Sequence, residues 1–365
     1  MRRLLIAQIP ALVLSLLLFQ PAAFAQETCA ENFSFQRLFG EVTLSQHSYG
    51  PIMNYKADLS LTNAFPSSIR IGTYNILNLY DHASPHSESV SYFPTEKDTQ
   101  RRLGNARAIH EIDPDFQVVV EVENMAALKK FNETFLDHQY EPLLIEGNDV
   151  RIDVAILIKR DLPVNFEWRS FKNYKDTDGK NIFSRDLPVG LVFERDAQGN
   201  SMAIPKFAIL ATHYKSQRTK PGQPDTAAKR LEQVVATLDI VNKLQLQYGK
   251  DFPIFLAGDF NNKVHDAPEF SALFRRGFKD ALDMTPEPPK DRATHYYFPK
   301  NGATAEANQI DAILVLAPGV RVLEGRVISD TNELGQVLSA PKTFDEREQR
   351  PSDHRPIGVT VELSH

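Results

Sequence analysis

Short apolar runs alternate with amphipathic stretches from about residue 68 to the end of the chain. Turn-forming residues bound the apolar runs, which is typical of strands. The pattern predicts strands at Ile69–Leu77, Phe116–Val122, Ile152–Ile158, Gly190–Phe193, Phe207–Thr212, Ile254–Leu256, Ile310–Leu316, Val320–Val327 and Ile357–Val361. Many strands with few helices do not fit a barrel of eight strand–helix pairs.

Apolar residues at helical spacing lie between these runs. They predict helices at Thr95–Ile112, at Met125–Phe135 with Asn124 as N-cap, at Ala227–Leu246 and at Ala267–Phe274. The longest helix carries an apolar stripe formed by Leu231, Val234, Val235, Leu238 and Val241. We therefore predict an α/β fold, a four-layer sandwich in which two mixed β-sheets pack face to face with helices outside.

The first residues have the character of a targeting segment. Arg2 and Arg3 precede the apolar run Leu4–Phe19, and Ala23-Phe24-Ala25 follows it. A basic start, a short apolar run and a small-x-small site predict a signal peptide at residues 1–25. We expect a secreted or periplasmic protein after cleavage near Ala25. A membrane anchor is disfavoured because the run is short for a spanning helix and is interrupted by a glutamine and a proline.

The remainder of the chain contains no linker that would divide it. Residues 26–67 have mixed polarity and no clear period, so we predict an irregular N-terminal extension packed on one domain, residues 68–365. No further apolar run of spanning length occurs, and we expect no stable membrane association. Nothing in the sequence indicates an obligate protein partner.

Composition narrows the possible chemistry of the 365 residues. Cys29 is the single cysteine, which excludes an intramolecular disulfide and a cysteine-based zinc cluster. The formal charge is −6, so the whole molecule exerts no positive field on nucleic acid. A site for a polyanion therefore depends on a local basic patch or on a metal ion.

Polar side chains recur where the apolar runs end, at positions that a sheet holds rigidly. They are Asn75, Glu121, His213, Asp259, Asn261, Asp311, Asp353 and His354. Carboxylates and amides are the ligands that Mg²⁺, Mn²⁺ or Ca²⁺ prefer. We predict a divalent-metal site with acid–base partners at one edge of the sandwich. The motifs HExxH, GxxxxGK[ST] and GxSxG do not occur, which disfavours zincins, P-loop proteins and serine hydrolases.

Phosphodiester hydrolysis needs an aligned water, neutralised phosphate charge and an acid on the leaving side. Asp259 can orient the water while Asn261 donates to a phosphate oxygen. His354 can protonate or polarise the opposite side, with its tautomer fixed by Asp311. Glu121 is the best single candidate for a metal ligand.

A basic stretch follows His213 along the chain and contains Lys215, Arg218, Lys220, Lys229 and Arg230. It is either a solvated loop and helix start or a positive lip that contacts a polyanion backbone. Arg151 likewise either faces the phosphate or pairs with Asp153.

Six motifs carry a family resemblance. They are Thr73-Tyr74-Asn75-Ile76-Leu77-Asn78, Val120-Glu121-Val122-Glu123-Asn124, Arg151-Ile152-Asp153-Val154-Ala155, Thr212-His213-Tyr214-Lys215-Ser216, Gly258-Asp259-Phe260-Asn261, and Gln309-Ile310-Asp311 with Ser352-Asp353-His354-Arg355-Pro356. In this order they resemble the endonuclease/exonuclease/phosphatase superfamily, with its deoxyribonuclease-I-like fold, over Ile69–Leu363. The resemblance identifies residues 68–365 as a catalytic domain of this kind.

The resemblance also implies roles for the site residues. It implies Asn75, Glu121 and Asp353 near the metal, His213 at the second histidine position, Asp259 and Asn261 around water and phosphate, and Asp311 orienting His354. Leu77 stands where some members have an acid, which puts a second metal site in doubt. Ala312 stands where a histidine often follows the aspartate.

The motifs around Glu121 and His213 resemble those of secreted bacterial nucleases. We expect a metal-dependent, largely non-specific nuclease that uses Mg²⁺, or Mn²⁺ or Ca²⁺, and contacts nucleic acid through Arg151, Lys215 and Arg218. One alternative is a phosphatase or a lipid phosphodiesterase on the same scaffold. Another is an inert binding module, which the complete set of polar residues disfavours.

Overall fold

The computed structural model describes residues 50–58, 60, 64–80, 99–218, 226–286, 288–299 and 304–363. Both large sheets belong to one compact unit, formed by Ser48–Tyr174 and Asn181–His365. Lys175–Lys180 belong to a second unit, whose other residues lie outside the described part of the chain. Its described part is a turn in which the Asp176 N–H donates to the Lys180 carbonyl, 2.9 Å away. The predicted signal peptide lies outside the described residues.

The first sheet has seven strands in the order β1-β6-β7-β8-β9-β13-β10. They are β1 (Ile52–Lys56), β6 (Asn165–Arg169), β7 (Val189–Phe193), β8 (Phe207–His213), β9 (Ile254–Asp259), β13 (Asp311–Leu316) and β10 (Lys279–Asp280). Strands β8 and β9 run parallel, and the other neighbours are antiparallel.

The second sheet has six strands in the order β14-β15-β2-β3-β5-β4. They are β14 (Val320–Val327), β15 (Ile357–Leu363), β2 (Ile69–Leu79), β3 (Phe116–Val122), β5 (Asp153–Lys159) and β4 (Tyr140–Leu144). Only β2 and β3 are parallel in this sheet. A separate ribbon pairs β11 (His295–Tyr297) with β12 (Glu306–Asn308). The two mixed sheets of an α/β sandwich are confirmed.

The helices are α1 (Thr99–Ile112), α2 (Met125–Phe135), α3 (Thr226–Tyr248), α4 (Ser271–Arg276) and α5 (Phe344–Glu348), with 3-10 turns at Pro268–Phe270 and Ala281–Asp283. Asn124 caps α2 as predicted, because its side chain accepts the Ala127 N–H. Residues 95–98 of the predicted first helix lie outside the described part. No helix within the described ranges combines the length and apolarity needed to cross a membrane.

The hydrophobic core forms two layers. Between the sheets, rings from β3, β6, β8 and β9 pack together, with Phe116 5.8 Å from both Phe166 and Phe207. On the outer face of the six-stranded sheet, Ile109 of α1 and Phe131 of α2 cover its apolar side chains. Burial of apolar surface in these layers stabilises the fold by roughly 25 cal/mol per Å². This stability holds the strand ends in fixed positions.

Short strands account for most differences from the predicted elements. Residues 52–56 were expected in an irregular extension, but they form β1, which pairs antiparallel with β6 and has no buried residue. Strands β4 and β6 were also missed. Each has only five residues, and Glu141 and Pro142 in β4 and Asn165 and Glu167 in β6 interrupt the apolar run. The predicted helix at Ala267–Phe274 is a 3-10 turn followed by the short α4.

The longest helix is found where predicted, but its buried face is not the expected apolar stripe. Leu231, Val235 and Leu238 are only partly buried. Instead α3 buries polar side chains beside Val234 and Val241, among them Arg230, Gln233 and Thr237. Polar groups on a buried face need partners, and these have partners in the loop that follows β8 (below).

Gly258, at the end of β9, is a position where only glycine fits. Its φ is +146°, and a Cβ there would lie 1.9 Å from the Thr212 carbonyl oxygen of the parallel strand. The absence of a side chain allows β8 and β9 to pair up to His213 and Asp259.

We predict that Gly258→Ala lowers the free energy of unfolding by about 1–3 kcal/mol more than Gly249→Ala, because it adds overpacking to backbone strain. Gly249 is the matched control, since its φ is also positive, +114°, but no atom lies within 4 Å of an added Cβ. Urea denaturation of both variants measures the difference. Equal losses would contradict the proposed clash.

Candidate active site

The polar residues predicted from the strand ends come together at one edge of both sheets. His213, Asp259 and Asp311 lie side by side on β8, β9 and β13, because Asp259 is in register with both of the others. Asn75 and Glu121 come from the parallel pair β2 and β3 of the other sheet. His354 lies in the segment before β15.

The backbone of β2 and β3 is irregular at this edge. Glu121 has a φ of +65°, and Leu77 and Asn78 have φ values of +54° and +51°. The ladder between the two strands is interrupted between Asn75 and Leu79, and the pairing of β3 with β5 is interrupted at Glu121. Left-handed backbone at non-glycine residues is costly and clusters at functional sites. Here it brings the Glu121 carboxylate to the Asn78 N–H, 3.1 Å away.

The Asn75 side-chain amide is the central contact of the cluster. Its Nδ2 lies 3.3 Å from Glu121 Oε1, 3.1 Å from Asp259 Oδ2 and 3.4 Å from His354 Nε2. Its Oδ1 accepts the Leu77 N–H at 3.0 Å. The amide therefore presents donors, and not its oxygen, to the carboxylates. Its predicted role as a metal ligand stays a prediction.

The Asp259 carboxylate is fully buried and strongly hydrogen-bonded. Its Oδ1 accepts the Asn261 N–H at 2.7 Å, and its Oδ2 lies 3.1 Å from Asn261 Nδ2. Burial raises the pKa of Asp259 to about 7. The positive charge of His354 acts to lower this pKa, and the negative charge of Asp311 acts to raise it. Asn261 adopts a left-handed φ of +57°, which turns its side chain back onto Asp259.

His354 and Asp311 form the predicted pair. The distance from Nδ1 to Asp311 Oδ2 is 2.8 Å, so the carboxylate fixes the orientation of the ring. Burial alone would lower the pKa of His354, but Asp311 and Asp259 raise it well above its usual value. Ser352 accepts the His354 N–H and donates to the Asn75 carbonyl, so the backbone before β15 is attached to β2.

His213 completes the inner group. Its Nε2 lies 3.5 Å from Asp259 Oδ2 and 3.9 Å from Glu121 Oε1. Burial, with the positive charge of Arg185 adding to it, lowers the pKa of His213 well below its usual value. The imidazole is therefore neutral at physiological pH.

The polar face of α3 fixes the loop that follows His213. Gln233 Oε1 accepts the Lys215 N–H at 2.8 Å, and Arg230 donates to the Lys215 carbonyl at 2.9 Å. The same guanidinium makes a buried ion pair with Glu269, 2.7 Å away. Glu269 also accepts from Asn262 at 2.9 Å. Helix α3 thus holds the loops after both β8 and β9.

The residues of the basic stretch are therefore of two kinds: some are held in ion pairs with other side chains, and others remain candidates for contact with a substrate. Arg230 is buried and does not belong to an exposed lip, and Lys229 pairs with Glu232 at 2.6 Å. Lys215 is partly buried and Arg218 is exposed, and they follow His213 by two and five residues. The Lys215 charge is among those that lower the pKa of His213. Lys220 lies outside the described residues.

Arg151 lies in the loop before β5, and its Nε is 4.0 Å from Asp149 Oδ1. Asp153 accepts the Gly147 N–H at 2.7 Å. The Arg151 side chain is 43% exposed. The two alternatives for Arg151, contact with phosphate and pairing with Asp153, stay predictions.

His295 lies beside the site, and the sequence analysis did not identify it. Its ring centroid lies 5.2 Å from that of His354, and the two residues form a β-bridge. Burial, followed by the His354 charge, lowers the pKa of His295 to about 3. The only sequence signal was the short β-prone run Thr294–Tyr297, which is too brief to predict a strand.

The donor atoms around His354 fit a divalent cation. One ligand atom each from His295, Asp353 and His354 lie within 4.8 Å of one another, as do those of Asp259, Asp311 and His354. Oδ1 of Asp353 is buried and has no hydrogen-bond partner among the described residues. Burial would raise the pKa of Asp353, but His354 and His295 hold it below its usual value. Asp353 belongs to the first of these groups and Glu121 to neither. The predicted roles of both carboxylates as metal ligands stay predictions.

Comparison with known proteins shows a shared fold. No family model matches the chain, and neither does any curated protein. An endonuclease/exonuclease/phosphatase from Bacteroides vulgatus has a TM-score of 0.51 at 18% identity, covering 82% of this chain and 100% of that one. D. rerio TDP2 complexed with single strand DNA product has a TM-score of 0.51 at 16% identity, with the same coverage.

A functionally unknown conserved protein from Enterococcus faecalis V583 has a TM-score of 0.52 at 17% identity, covering 81% of this chain and all of that one. The fold implied by the sequence motifs is therefore confirmed: this chain has the architecture of the endonuclease/exonuclease/phosphatase proteins.

We predict that Arg230→Met lowers the free energy of unfolding by roughly 3–5 kcal/mol, because it leaves the buried Glu269 carboxylate without its cation. The matched control is Arg321→Met, which breaks the exposed Arg321–Glu362 pair and should cost at most about 1 kcal/mol. Urea denaturation compares the two variants. Equal losses would show that the buried pair does not hold the loops.

Proposed function

We propose that this protein is a metal-dependent phosphodiesterase and that its substrate is nucleic acid. The observation that carries the proposal is the contact network centred on Asn75. Glu121, Asp259 and His354 lie within 3.4 Å of the Asn75 amide, and His213 and His354 lie within 3.9 Å of the Asp259 carboxylate. Burying this many ionisable groups costs stability even when they are paired, and such a cost is expected at a functional site. Hydrolysis of a phosphodiester would use each of these groups.

The comparisons support the same reaction class. The matched Bacteroides vulgatus protein is described as an endonuclease/exonuclease/phosphatase, and the matched D. rerio TDP2 is complexed with a single-stranded DNA product. A shared fold alone does not determine a substrate. The choice of nucleic acid rests in addition on the positive side chains Arg151, Lys215 and Arg218, whose contact with phosphates is part of the proposal.

In the proposed reaction, Asp259 aligns a water and accepts its proton as the water oxygen attacks phosphorus. Asn261 holds that carboxylate through two contacts, at 2.7 and 3.1 Å. His354 faces the leaving oxygen and donates its proton as the P–O bond breaks, while Asp311 at 2.8 Å keeps the imidazole oriented.

The remaining groups bind the phosphate. The Asn75 amide and the neutral His213 imidazole offer donors beside Asp259. A divalent cation held by Glu121 and Asp353 would neutralise phosphate charge when bound. Lys215, Arg218 and Arg151 would contact neighbouring phosphates, which gives affinity without sequence preference. Export after cleavage near Ala25 is part of the proposal and rests on the sequence alone.

We expect EDTA to abolish hydrolysis of plasmid, linear DNA or RNA by the purified protein, and added Mg²⁺ or Mn²⁺ to restore it, because the carboxylates need a cation to accept a phosphate. Release of acid-soluble nucleotides is the measurement. Full activity in chelator would exclude the metal. Release of phosphate or phosphocholine from lipid, with no cleavage of nucleic acid, would favour the lipid phosphodiesterase or phosphatase alternative.

We expect Asp259→Asn and His354→Ala each to lower kcat by about 10²-fold or more, because each removes a proton-transfer group. The matched controls are Asp251→Asn and His110→Ala, which change exposed residues of the same types and should leave kcat unchanged. Steady-state rates with the preferred nucleic acid are measured for all four variants. Normal turnover in both site variants would contradict the assigned roles.

A further inference from the structure

Two exposed aromatic rings lie near the end of the site that contains His295. Tyr297 on β11 is 48% exposed, and Phe344 at the start of α5 is 51% exposed. A single exposed apolar side chain is ordinary on a protein surface, but a group of them beside a site marks a binding surface. Neither residue belongs to the hydrolytic group described above.

Strand geometry places Tyr297 beside the acid–base pair. Successive side chains of a strand point to opposite faces, so His295 and Tyr297 share one face of β11, with Cα atoms about 7 Å apart. The His295 ring is 5.2 Å from the His354 ring. Between them along the strand, Tyr296 points to the other face and is buried. Tyr297 therefore continues the surface that begins at His354.

Arg347 connects Phe344 to the same ribbon. Its guanidinium carbon lies 4.6 Å from the centroid of the Phe344 ring and 5.9 Å from that of Phe298. Its Nη1 donates to the Tyr296 carbonyl at 3.2 Å. The Arg347 side chain is 12% exposed and packs against one face of the Phe344 ring, which holds the ring in place. Phe344 nevertheless stays 51% exposed, so part of the ring is open to a ligand.

The charge of Arg347 is also close to the site. The pKa of His295 is lowered mainly by burial and by the His354 charge, and the Arg347 charge lowers it further. The Arg347 charge also helps to lower the pKa of Asp353. A cation interleaved with rings suits a ligand that alternates flat bases with phosphates. It suits insertion into lipid less well, because that requires an uninterrupted apolar surface.

We propose that Tyr297 and Phe344 form a stacking surface for unpaired nucleobases next to the scissile phosphate, so that the enzyme acts preferentially on single-stranded nucleic acid. This inference rests on the proposed function. Only an unpaired base can place its face on a side-chain ring, because the bases of a duplex are stacked on one another. Since every base has such a face, the preference is for strandedness and not for sequence.

The test compares kcat/KM for a labelled single-stranded DNA oligonucleotide and for the same sequence in a duplex. Tyr297→Ala and Phe344→Ala should each lower the single-strand value about tenfold, mainly through KM, and change the duplex value less than about twofold. Tyr297→Phe and Phe344→Tyr keep the rings and should keep the preference. Leu334→Ala, at a side chain that is 81% exposed outside this surface, is the control.

Equal effects on both substrates, or no effect on either, would overturn the inference while leaving the nuclease proposal intact. Tyr297→Leu, which keeps an apolar side chain without a ring, replaces the alanine variant if that variant fails to fold. If the wild-type protein cleaves no nucleic acid, the proposed function fails separately from the stacking surface.

Binding then tests the surface without turnover. Fluorescence anisotropy of the labelled oligonucleotide with the wild-type protein in EDTA should give a Kd about tenfold lower than with either alanine variant. An unchanged Kd overturns the inference. The inference is also overturned if the alanine substitutions weaken co-sedimentation with phosphatidylcholine–sphingomyelin vesicles but do not weaken DNA binding. That result would favour a lipid-binding surface.

Discussion

The mutual repulsion of buried carboxylates is the constraint around which this site is built. Asp259 and Asp311 lie in register on neighbouring strands, and Glu121 approaches from the other sheet. Three such groups with no compensating donors or cations would favour protonation or separation of the strands. The Asn75 amide, the Asn261 side chain and the His354 imidazole supply those compensating groups. The arrangement therefore depends on both sheets being held in contact by the core between them.

The sequence predicted the central strands and the inner site residues for one physical reason. A buried strand is a continuous apolar run, and a polar residue at its end, such as Asp259, is conspicuous against it. Strands β1, β4 and β6 have five residues each and include polar residues or a proline, so their apolar runs are short or broken. His295 was missed because it belongs to a three-residue strand whose position is set by its bridge to His354.

The buried face of α3 was predicted incorrectly, and the reason is a limit of hydrophobicity patterns. The helix was recognised by its leucines and valines, but part of its buried surface is polar because it binds loop backbone. Arg230 and Gln233 have no apolar signature, and their roles depend on where the loop after β8 passes. A hydrophobicity pattern predicts which side chains are buried on folding. It does not report which backbone groups need donors, and that information exists only once the chain is folded.

The pairing of β8, β9 and β13 has a consequence for how this scaffold can vary. His213, Asp259 and Asp311 occupy one row across three adjacent strands. Because side chains alternate between the faces of a sheet, adding or deleting one residue within any of these strands would turn its reactive group toward the opposite side. Changes in length are therefore tolerated only in the connecting loops, and new specificities can arise there without moving the reaction centre.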